Sequence, residues 1–391
     1  MLKRLLLLVV VCIVPLAASA HHHDGHTAAE PTVCSGNQVD CAPVVMAATD
    51  ANGNLWRLYP TDDGLFVQQR LATHEFAQPL QVTDEKVLLG NEQRPQLAFG
   101  PKGQIYVAWS VPKQAHWTCD TRFAASSDGR SFSAPVTINR DSQQITHCFP
   151  VMKTNDKGDI FIAWLDRRNH QAAKQAGKEY QGMALTYSWS ADGGKHFAAK
   201  DITLEDQTCE CCRLAMTLAD NLPVLAFRKI YPGMERDHAL VRLSSLDTFE
   251  PAERVTFQRW QLNGCPEQGP ALLQEGERLH FVWFDQGQLY YKQSVGGKWT
   301  APQAFGQKGG EHPDLLAADS TLYRVWRQYA KGAMRVFVQM SQDQGVSWSK
   351  DMPLAATENG SDYPYLVQDK LGVWVTWKTD AEGHLLLPIG D

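Results

Sequence analysis

Three cysteines within four residues are the side chains of this sequence best suited to chemistry. Cys209, Cys211 and Cys212 lie in the stretch TCECCR at residues 208–213, and Cys265 follows later. Adjacent cysteines are poor cross-links, because a bridge between them strains the intervening peptide and closes almost no loop. Thiolates are good ligands for copper(I) and zinc. The stretch therefore predicts a metal site or redox chemistry, with disulfide stapling as the alternative.

Histidines add imidazole donors to this candidate metal site. His147, with its neighbour Cys148, and His312 occupy positions in the repeats described below that match those of the cysteines. A second candidate lies at the predicted mature N-terminus, where a free amine with His21 and His23 would chelate copper(II). We expect copper as the first metal and zinc as the second.

Residues 1–20 have the features of a signal peptide. Lys3 and Arg4 precede an apolar run from Leu5 to Val14, and small residues up to Ala20 suit signal peptidase. No later run approaches the roughly 20 apolar residues of a membrane-spanning helix. We therefore expect an exported chain, periplasmic or secreted, without a membrane span.

Export permits disulfides, and cleavage after Ala20 would leave an even set of eight cysteines. A Cys34–Cys41 bridge would close a short loop, and a Cys119–Cys148 bridge would tie neighbouring repeats. The formal charge would change from −6 to −8, because two basic residues and no acid are lost. With no basic block in the chain, a nucleic-acid partner is not expected.

A phrase that ends in an aromatic residue recurs along the chain. Each copy contains two short apolar strands separated by a turn, which is typical of a β-hairpin. The aromatics fall 43 to 63 residues apart, the period of a four-stranded unit repeated around a ring. The clear copies are PQLAFGPKGQIYVAW (95–109), PVMKTNDKGDIFIAW (150–164), PALLQEGERLHFVW (270–283), PDLLAADSTLYRVW (313–326) and PYLVQDKLGVWVTW (364–377), with weaker copies at 43–59 and 214–227.

The repeat predicts an all-β chain folded as a single β-propeller over residues 43–391. Seven copies favour seven blades, with six as the alternative. Residues 21–42 are expected to form a His-rich polar leader and a segment that closes the ring. The first strand of each blade should start at the face where the second strand ends. Residues that flank each phrase should therefore surround the central funnel on one face of the ring. The aromatic residues that end the phrases should pack between blades.

Three turns between the hairpins share Ser-x-Asp followed by glycine and an aromatic residue. They resemble the Asp boxes, or BNR repeats, of the sialidase-like β-propeller superfamily, in which these turns are structural. The resemblance implies a propeller of the sialidase type, and sialidases have six blades. The turns are SSDGRSF (126–132), SADGGKHF (190–197) and SQDQGVSW (341–348).

The resemblance also implies candidate catalytic residues for a glycoside hydrolase. Sialidases hold the sugar carboxylate with arginines and attack with a tyrosine that a glutamate activates, while a separate acid assists. Where a middle arginine is expected, this chain has Phe284 and Asp285, and an aspartate there would repel an acidic sugar. An exo-glycosidase acting on a glycan is therefore the second hypothesis. Its candidate residues are Arg94, Asp120, Glu267, Arg335 and Tyr363.

The stretch NGCP at residues 263–266, together with TCECC, resembles an exported bacterial subgroup of sialidase-like proteins with the same paired cysteine signature. In that subgroup the cysteines replace part of the sialidase constellation, which implies a repurposed funnel. The first hypothesis is therefore a Cys/His/Arg cluster at the funnel face that binds copper or zinc or performs redox chemistry. A binding or assembly scaffold with a protein partner is the third.

Overall fold

The computed structural model describes residues 36–90 and 92–390. The predicted signal peptide, most of the predicted leader, His21, His23 and Cys34 lie outside these described residues. In the part of the chain that the structure describes, no helix combines the length and the apolar character needed to cross a membrane.

The strands pair antiparallel in sequence order and group into seven consecutive units. Six of these units contain four or five strands and the last contains three. The third and fourth units are joined into one eight-stranded sheet by the pairing of Thr208 with Lys229. Because these two units share a sheet, the expected count of seven separate blades stays a prediction.

The first four units are built from sixteen strands. Their bounds are β1 Met46–Thr49, β2 Leu55–Thr61, β3 Gly64–Gln69 and β4 Leu80–Thr83; β5 Gln96–Phe99, β6 Ile105–Pro112, β7 Cys119–Ser126 and β8 Val136–Thr137; β9 His147–Thr154, β10 Ile160–Asp166, β11 Met183–Ser190 and β12 Ile202–Thr208; β13 Ala215–Ala219, β14 Leu222–Tyr231, β15 Glu235–Arg242 and β16 Glu253–Arg254.

The last three units contain the remaining strands, and residues 36–90 and 92–390 also include one short α-helix and two 3-10 turns. The strands are β17 Ala271–Glu275, β18 Arg278–Asp285, β19 Gln288–Val295, β20 Lys298–Trp299 and β21 Gln303–Phe305; β22 Gly310–Ala318, β23 Thr321–Ala330, β24 Ala333–Ser341 and β25 Met352–Thr357; β26 Tyr365–Asp369, β27 Gly372–Thr379 and β28 Gly383–Ile389. The helix is α1 Arg168–Gln175, and the 3-10 turns are Val39–Cys41 and Pro232–Met234.

The first strands of successive units contact one another in cyclic order. β1 contacts β5, each later first strand contacts the next, and β26 returns to contact β1. The 3-10 turn Val39–Cys41 packs against β28. The units therefore close into the ring of a β-propeller, as the repeat predicts.

The second strand of each unit carries the aromatic residue that ends the repeated phrase. Each of these side chains is at most 1% exposed. Six of the seven pack with side chains of the preceding unit, as predicted for the tryptophans, whereas Tyr59 packs with Phe66 of its own unit and with Val45. Such burial removes large apolar surfaces from water and supplies much of the core of each unit. The residues are Tyr59, Trp109, Trp164, Phe227, Trp283, Trp326 and Trp377.

The three Ser-x-Asp turns share one hydrogen-bond pattern. In the first, the Gly129 amide donates to Ser126 Oγ at 3.0 Å, and the Arg130 amide donates to Asp128 Oδ1 at 2.9 Å. Ser126 is the last residue of β7 and Cys119 is its first, so this turn and the cysteine lie at opposite ends of the strand. The assignment of these turns as Asp boxes stays a prediction. Equivalent bonds hold Ser190, Asp192 and Gly194, and Ser341, Asp343 and Gly345.

Candidate functional site

The segment between β12 and β13 carries three of the candidate cysteines. β12 ends at Thr208, whose hydroxyl donates to the Met183 carbonyl at 2.8 Å. The next amide, of Cys209, donates to the Arg228 carbonyl at 2.8 Å, which fixes this cysteine against β14. Cys209 and Cys212 are buried, whereas Cys211 is half-buried.

Cys209, Cys211, Cys212 and Cys265 form what we name the sulfur cluster, where the segments that lead into β13 and β17 meet. The Sγ atoms of Cys209 and Cys212 are 2.7 Å apart, and Cys265 Sγ lies 3.4 Å from the first and 3.9 Å from the second. All three Sγ atoms lie within 4.8 Å of one another, which is compact enough to surround a metal ion.

Cys265 belongs to two arrangements that exclude each other. Its sulfur is paired with that of Cys211 in a disulfide, while Cys209 and Cys212 are free thiols. The same sulfur completes the three-sulfur group that could hold a metal. A disulfide sulfur is not a thiolate, so the structure shows the oxidised arrangement and the metal set requires its reduction.

A buried guanidinium lies beside the sulfur cluster. Arg228 is 1% exposed and donates to three carbonyl groups, those of Arg236 at 2.9 Å, Phe284 at 2.7 Å and Gln268 at 3.2 Å. Among the described residues, no carboxylate lies within 4.0 Å of its nitrogens. Burial of a charge without an ion pair is costly, so the positive charge of Arg228 favours an anion nearby.

The two free thiols have different acidities. Burial alone raises the pKa of Cys209, but the hydrogen bond with Cys212 and the positive charge of Arg228 outweigh it and lower that pKa to about 7. Burial, reinforced by the charge of Cys209, raises the pKa of Cys212 well above its ordinary value. One anionic sulfur is therefore available near neutral pH, and Cys212 stays protonated beside it.

The predicted histidine ligands do not join the sulfur cluster, whose metal-binding group among the described residues consists of cysteines alone. His147 Nδ1 lies 3.0 Å from Asp166 Oδ2, its pairing partner on β10. His312 Nδ1 lies 2.8 Å from Glu92 Oε1. Each imidazole is thus held by a carboxylate, and its role as a metal ligand stays a prediction.

Cys148 is also placed differently from its prediction as a metal ligand. It is paired with Cys119, and this disulfide links β7 of the second unit to β9 of the third. The sequence analysis named this pair as the stapling alternative, and the structure adopts it. Cys41 is disulfide-bonded, and its predicted partner Cys34 lies outside the described residues.

A cavity of about 680 Å³ lies next to the sulfur cluster, and we name it the funnel cavity. Three of the five candidate hydrolase residues, Arg94, Glu267 and Tyr363, line it together. The three residues that follow Cys265 in the chain, Pro266, Glu267 and Gln268, form part of its wall. Its other lining residues are Pro43, Val44, Leu89, Gly90, Glu311, His312, Arg327, Gly360, Ser361, Asp362 and Asp380.

The other two candidate hydrolase residues do not line the funnel cavity. Asp120 accepts hydrogen bonds from Lys113 Nζ and Asn139 Nδ2, each at 2.9 Å. Arg335 donates from Nε to the Ala330 carbonyl at 3.0 Å. Both side chains therefore have structural partners within their own units, and the hydrolase set is only partly assembled.

Tyr363 is the most unusual residue of the funnel cavity. Its ring stacks on His312, with ring centres 4.6 Å apart, and the guanidinium groups of Arg94 and Arg213 lie 4.6 and 5.0 Å from its centre. Among the described residues its hydroxyl has no hydrogen-bond partner, although Tyr363 is only 3% exposed. Burial raises the pKa of Tyr363 to about 12 despite the nearby arginines, which opposes a role as an activated nucleophile.

Glu92 was missed by the sequence analysis, yet it connects the funnel cavity to the sulfur cluster. It pairs with Arg213, the residue after Cys212, at 3.1 Å, and also with His312. It also accepts a hydrogen bond from the Gly269 amide at 2.6 Å. A Cβ atom added at Gly269 would lie 2.1 Å from Arg213 Cγ, which is too close. Glycine is required for this close approach. The available signal was the position of Glu92 two residues before Arg94, among residues that precede a repeated phrase.

A second missed signal is the spacing within TCECC. Cys209 and Cys212 are separated by two residues, the Cys-x-x-Cys spacing of dithiol redox and metal sites. The adjacent pair Cys211–Cys212 drew attention instead. In the structure Cys209 and Cys212 are the two thiols that face each other, and Cys211 turns toward Cys265.

Comparisons with solved structures show similarity at low sequence identity. A protein of unknown function from Dyadobacter fermentans aligns with a TM-score of 0.54 and 15% identity, over 77% of this chain and 95% of that chain. An α-L-arabinofuranosidase from Fusarium graminearum aligns with a TM-score of 0.51 and 11% identity, over 78% of this chain and 94% of that chain. No protein-family model and no curated protein matched the chain. The chain therefore shares its β-propeller fold with these two proteins.

Proposed function

We propose that this chain is an exported β-propeller that binds a soft metal ion, copper(I) in the first place and zinc in the second, through Cys209, Cys212 and Cys265. The observation that carries the proposal is the convergence of these three sulfurs within 4.8 Å. The export and the single propeller domain over residues 43–391 belong to the same proposal and rest on the sequence.

The sulfur separations suit a metal site. With a metal–sulfur distance of about 2.3 Å, thiolates around one ion lie about 3.8 Å apart. Cys265 Sγ is 3.4 Å from Cys209 Sγ and 3.9 Å from Cys212 Sγ. The third separation, 2.7 Å between Cys209 and Cys212, has to open by about 1 Å for binding, which a side-chain rotation can provide.

The surrounding charge also suits a metal–thiolate complex. Three thiolates around copper(I) carry a net charge of two negative units, which a buried site must balance. Arg228 supplies a buried positive charge with no carboxylate oxygen within 4.0 Å of its nitrogens among the described residues, and this charge also acts on Asp285, whose pKa it lowers against the larger raising effect of burial. Soft sulfur donors favour copper(I), and zinc would require Cys211 as a fourth ligand for its usual tetrahedral site.

The test is copper(I) titration of the reduced, untagged mature protein against a chromogenic chelator under anaerobic conditions. We expect one ion per chain, and an affinity lower by on the order of 100-fold in Cys212→Ser because a ligand is lost. The double variant Cys119→Ala with Cys148→Ala is the matched control and should bind as the wild type does. Reduced protein with four free cluster thiols and no bound copper or zinc would contradict the proposal and favour the scaffold hypothesis.

A glycan ligand in the funnel cavity is the second candidate function, favoured by the convergence of Arg94, Glu267 and Tyr363 on one cavity. Chromogenic sialosides and arabinosides test it. Turnover that disappears in Tyr363→Phe and persists in Cys212→Ser would support a hydrolase. Binding without turnover would support a lectin-like role, as the raised pKa of Tyr363 and the absence of Asp120 and Arg335 from the cavity lead us to expect.

A further inference from the structure

The four cysteines of the sulfur cluster have two redox states, and only one of them offers all four sulfurs as thiols. As a disulfide, Cys211–Cys265 leaves two free thiols, Cys209 and Cys212. As thiols, the same residues bring the number of available sulfurs to four. Only the second state contains the compact group of Cys209, Cys212 and Cys265 in a form that can bind a metal.

We propose that the Cys211–Cys265 disulfide is a redox gate on the metal site. It opens when a dithiol reductant reduces it, and it closes when a disulfide oxidant accepts two electrons and two protons from the two thiols in the reverse exchange. This inference rests on the proposed metal-binding function. It adds a condition to that function, namely that the oxidised protein has low affinity and the reduced protein has high affinity.

The opening reaction balances as an ordinary thiol–disulfide exchange. A thiolate of the reductant attacks one sulfur of the Cys211–Cys265 bond, the other sulfur leaves as a thiolate and takes a proton, and a mixed disulfide forms. The second thiol of the reductant then displaces the protein sulfur. Two electrons and two protons pass to the protein, which gains two thiols, and the reductant leaves as a disulfide.

The two cysteines of the gate are more exposed to solvent than the other two cysteines of the sulfur cluster. Cys211 and Cys265 are half-buried, whereas Cys209 and Cys212 are only 1% and 2% exposed. The chain next to Cys265 borders open space, because a Cβ added at the exposed Gly264 would meet no heavy atom within 4 Å. A reductant can therefore reach the disulfide without unfolding the protein, while the inner thiols stay shielded.

The Cys119–Cys148 disulfide serves as a control within the same protein, because a reductant has less access to it than to Cys211–Cys265. Both of its cysteines are buried, at 1% and 2% exposure. Because exchange requires access to a sulfur, this bond should persist under conditions that open Cys211–Cys265. The gate can thus be switched in a protein whose fold stays intact.

The experiment equilibrates the mature protein with graded ratios of reduced to oxidised dithiothreitol, removes the reagent anaerobically, and measures two quantities. Alkylation with peptide mass spectrometry gives the redox state of each cysteine, and chelator competition gives the copper(I) affinity. We expect affinity to rise by on the order of 100-fold over the same range in which Cys211 and Cys265 become alkylated. Cys119 and Cys148 should stay unlabelled throughout that range.

One variant tests the redox gate and the metal site independently. Cys211→Ser, kept reduced and anaerobic, retains the three proposed copper ligands and should bind as tightly as the reduced wild type. Equal affinity of oxidised and reduced wild type would overturn the gate and leave the metal site standing. Absence of binding in the fully reduced wild type would overturn both. Aerobically purified protein with Cys211 and Cys265 already alkylatable would overturn the gate.

Discussion

The Cys119–Cys148 pair and the sulfur cluster differ in their surroundings. Cys119 and Cys148 are both buried and form one disulfide between two units, which is what a staple requires. In the sulfur cluster a disulfide lies beside two free thiols and the buried Arg228. A disulfide that only staples the ring needs no neighbouring thiols, so the contrast supports the proposal that the first group stabilises the ring and the second binds a metal.

The largest change in stability should follow removal of the staple. Cys119→Ala with Cys148→Ala releases a disulfide that spans a sequence separation of 29. The free energy of unfolding should fall by about 3–4 kcal/mol, because the unfolded chain regains the entropy of that loop. Urea denaturation monitored by tryptophan fluorescence measures the change. A variant that also loses copper affinity would break the comparison, since the two groups would then be coupled.

Glu92→Gln should have the next largest effect, because it removes the carboxylate that links the cluster segment to the funnel cavity. Burial raises the pKa of Glu92, but the charge of Arg213 and the hydrogen bond with His312 outweigh it and lower that pKa to about 2. Against an ordinary value near 4.5, this corresponds to about 3 kcal/mol of stability at pH 7.

The sign of the pH dependence gives that prediction a second readout. A carboxyl group with a lowered pKa stabilises the fold fully above about pH 4.5, and the contribution disappears as pH falls toward about 2. The difference between wild type and Glu92→Gln should therefore shrink on acidification. Glu311→Gln is the control, because its partly exposed pair with Arg327 at 3.4 Å should contribute less than about 1 kcal/mol. Similar losses in both variants would contradict the proposed link.

Arg228→Met tests the charge beside the thiols and should change their acidity by a smaller amount. In the oxidised, metal-free protein, the pKa of Cys209 should rise above about 7 in this variant, because the charge of Arg228 is, after the hydrogen bond with Cys212, the next largest contribution that lowers it. Thiolate absorbance between pH 5 and 9 measures it. Arg228→Lys keeps the charge and should hold the pKa close to the wild-type value. An unchanged pKa in Arg228→Met would show that the guanidinium does not support the thiolate.

The sequence predicted the ring better than it predicted the site. The repeated phrases place Trp109 and its counterparts on second strands, since period and alternation are local properties of the chain. They also indicate which end of a strand a residue occupies. They do not give the direction in which a side chain points. The side chain of His147, for example, contacts Asp166 of its own unit, because the two residues lie opposite each other in the β9–β10 pairing. Cys209 and Cys265 meet because the segments that lead into β13 and β17, the first strands of adjacent units, converge.

The smallest effect on stability should come from Tyr363→Phe in the funnel cavity. The lost hydroxyl has no hydrogen-bond partner in the described part of the chain, so the free energy of unfolding should change by less than about 1 kcal/mol or increase. Tyr291→Phe is the matched control, since its hydroxyl lies 2.8 Å from His280 Nδ1 and its loss should cost about 1 kcal/mol. A buried hydroxyl without a hydrogen-bond partner is unfavourable in the free protein. A ligand that accepts a hydrogen bond from this hydroxyl would relieve that cost. A stable Tyr363→Phe variant that loses glycan binding would therefore assign the hydroxyl to a ligand. A variant less stable than Tyr291→Phe would show that the hydroxyl already has a partner in the folded chain.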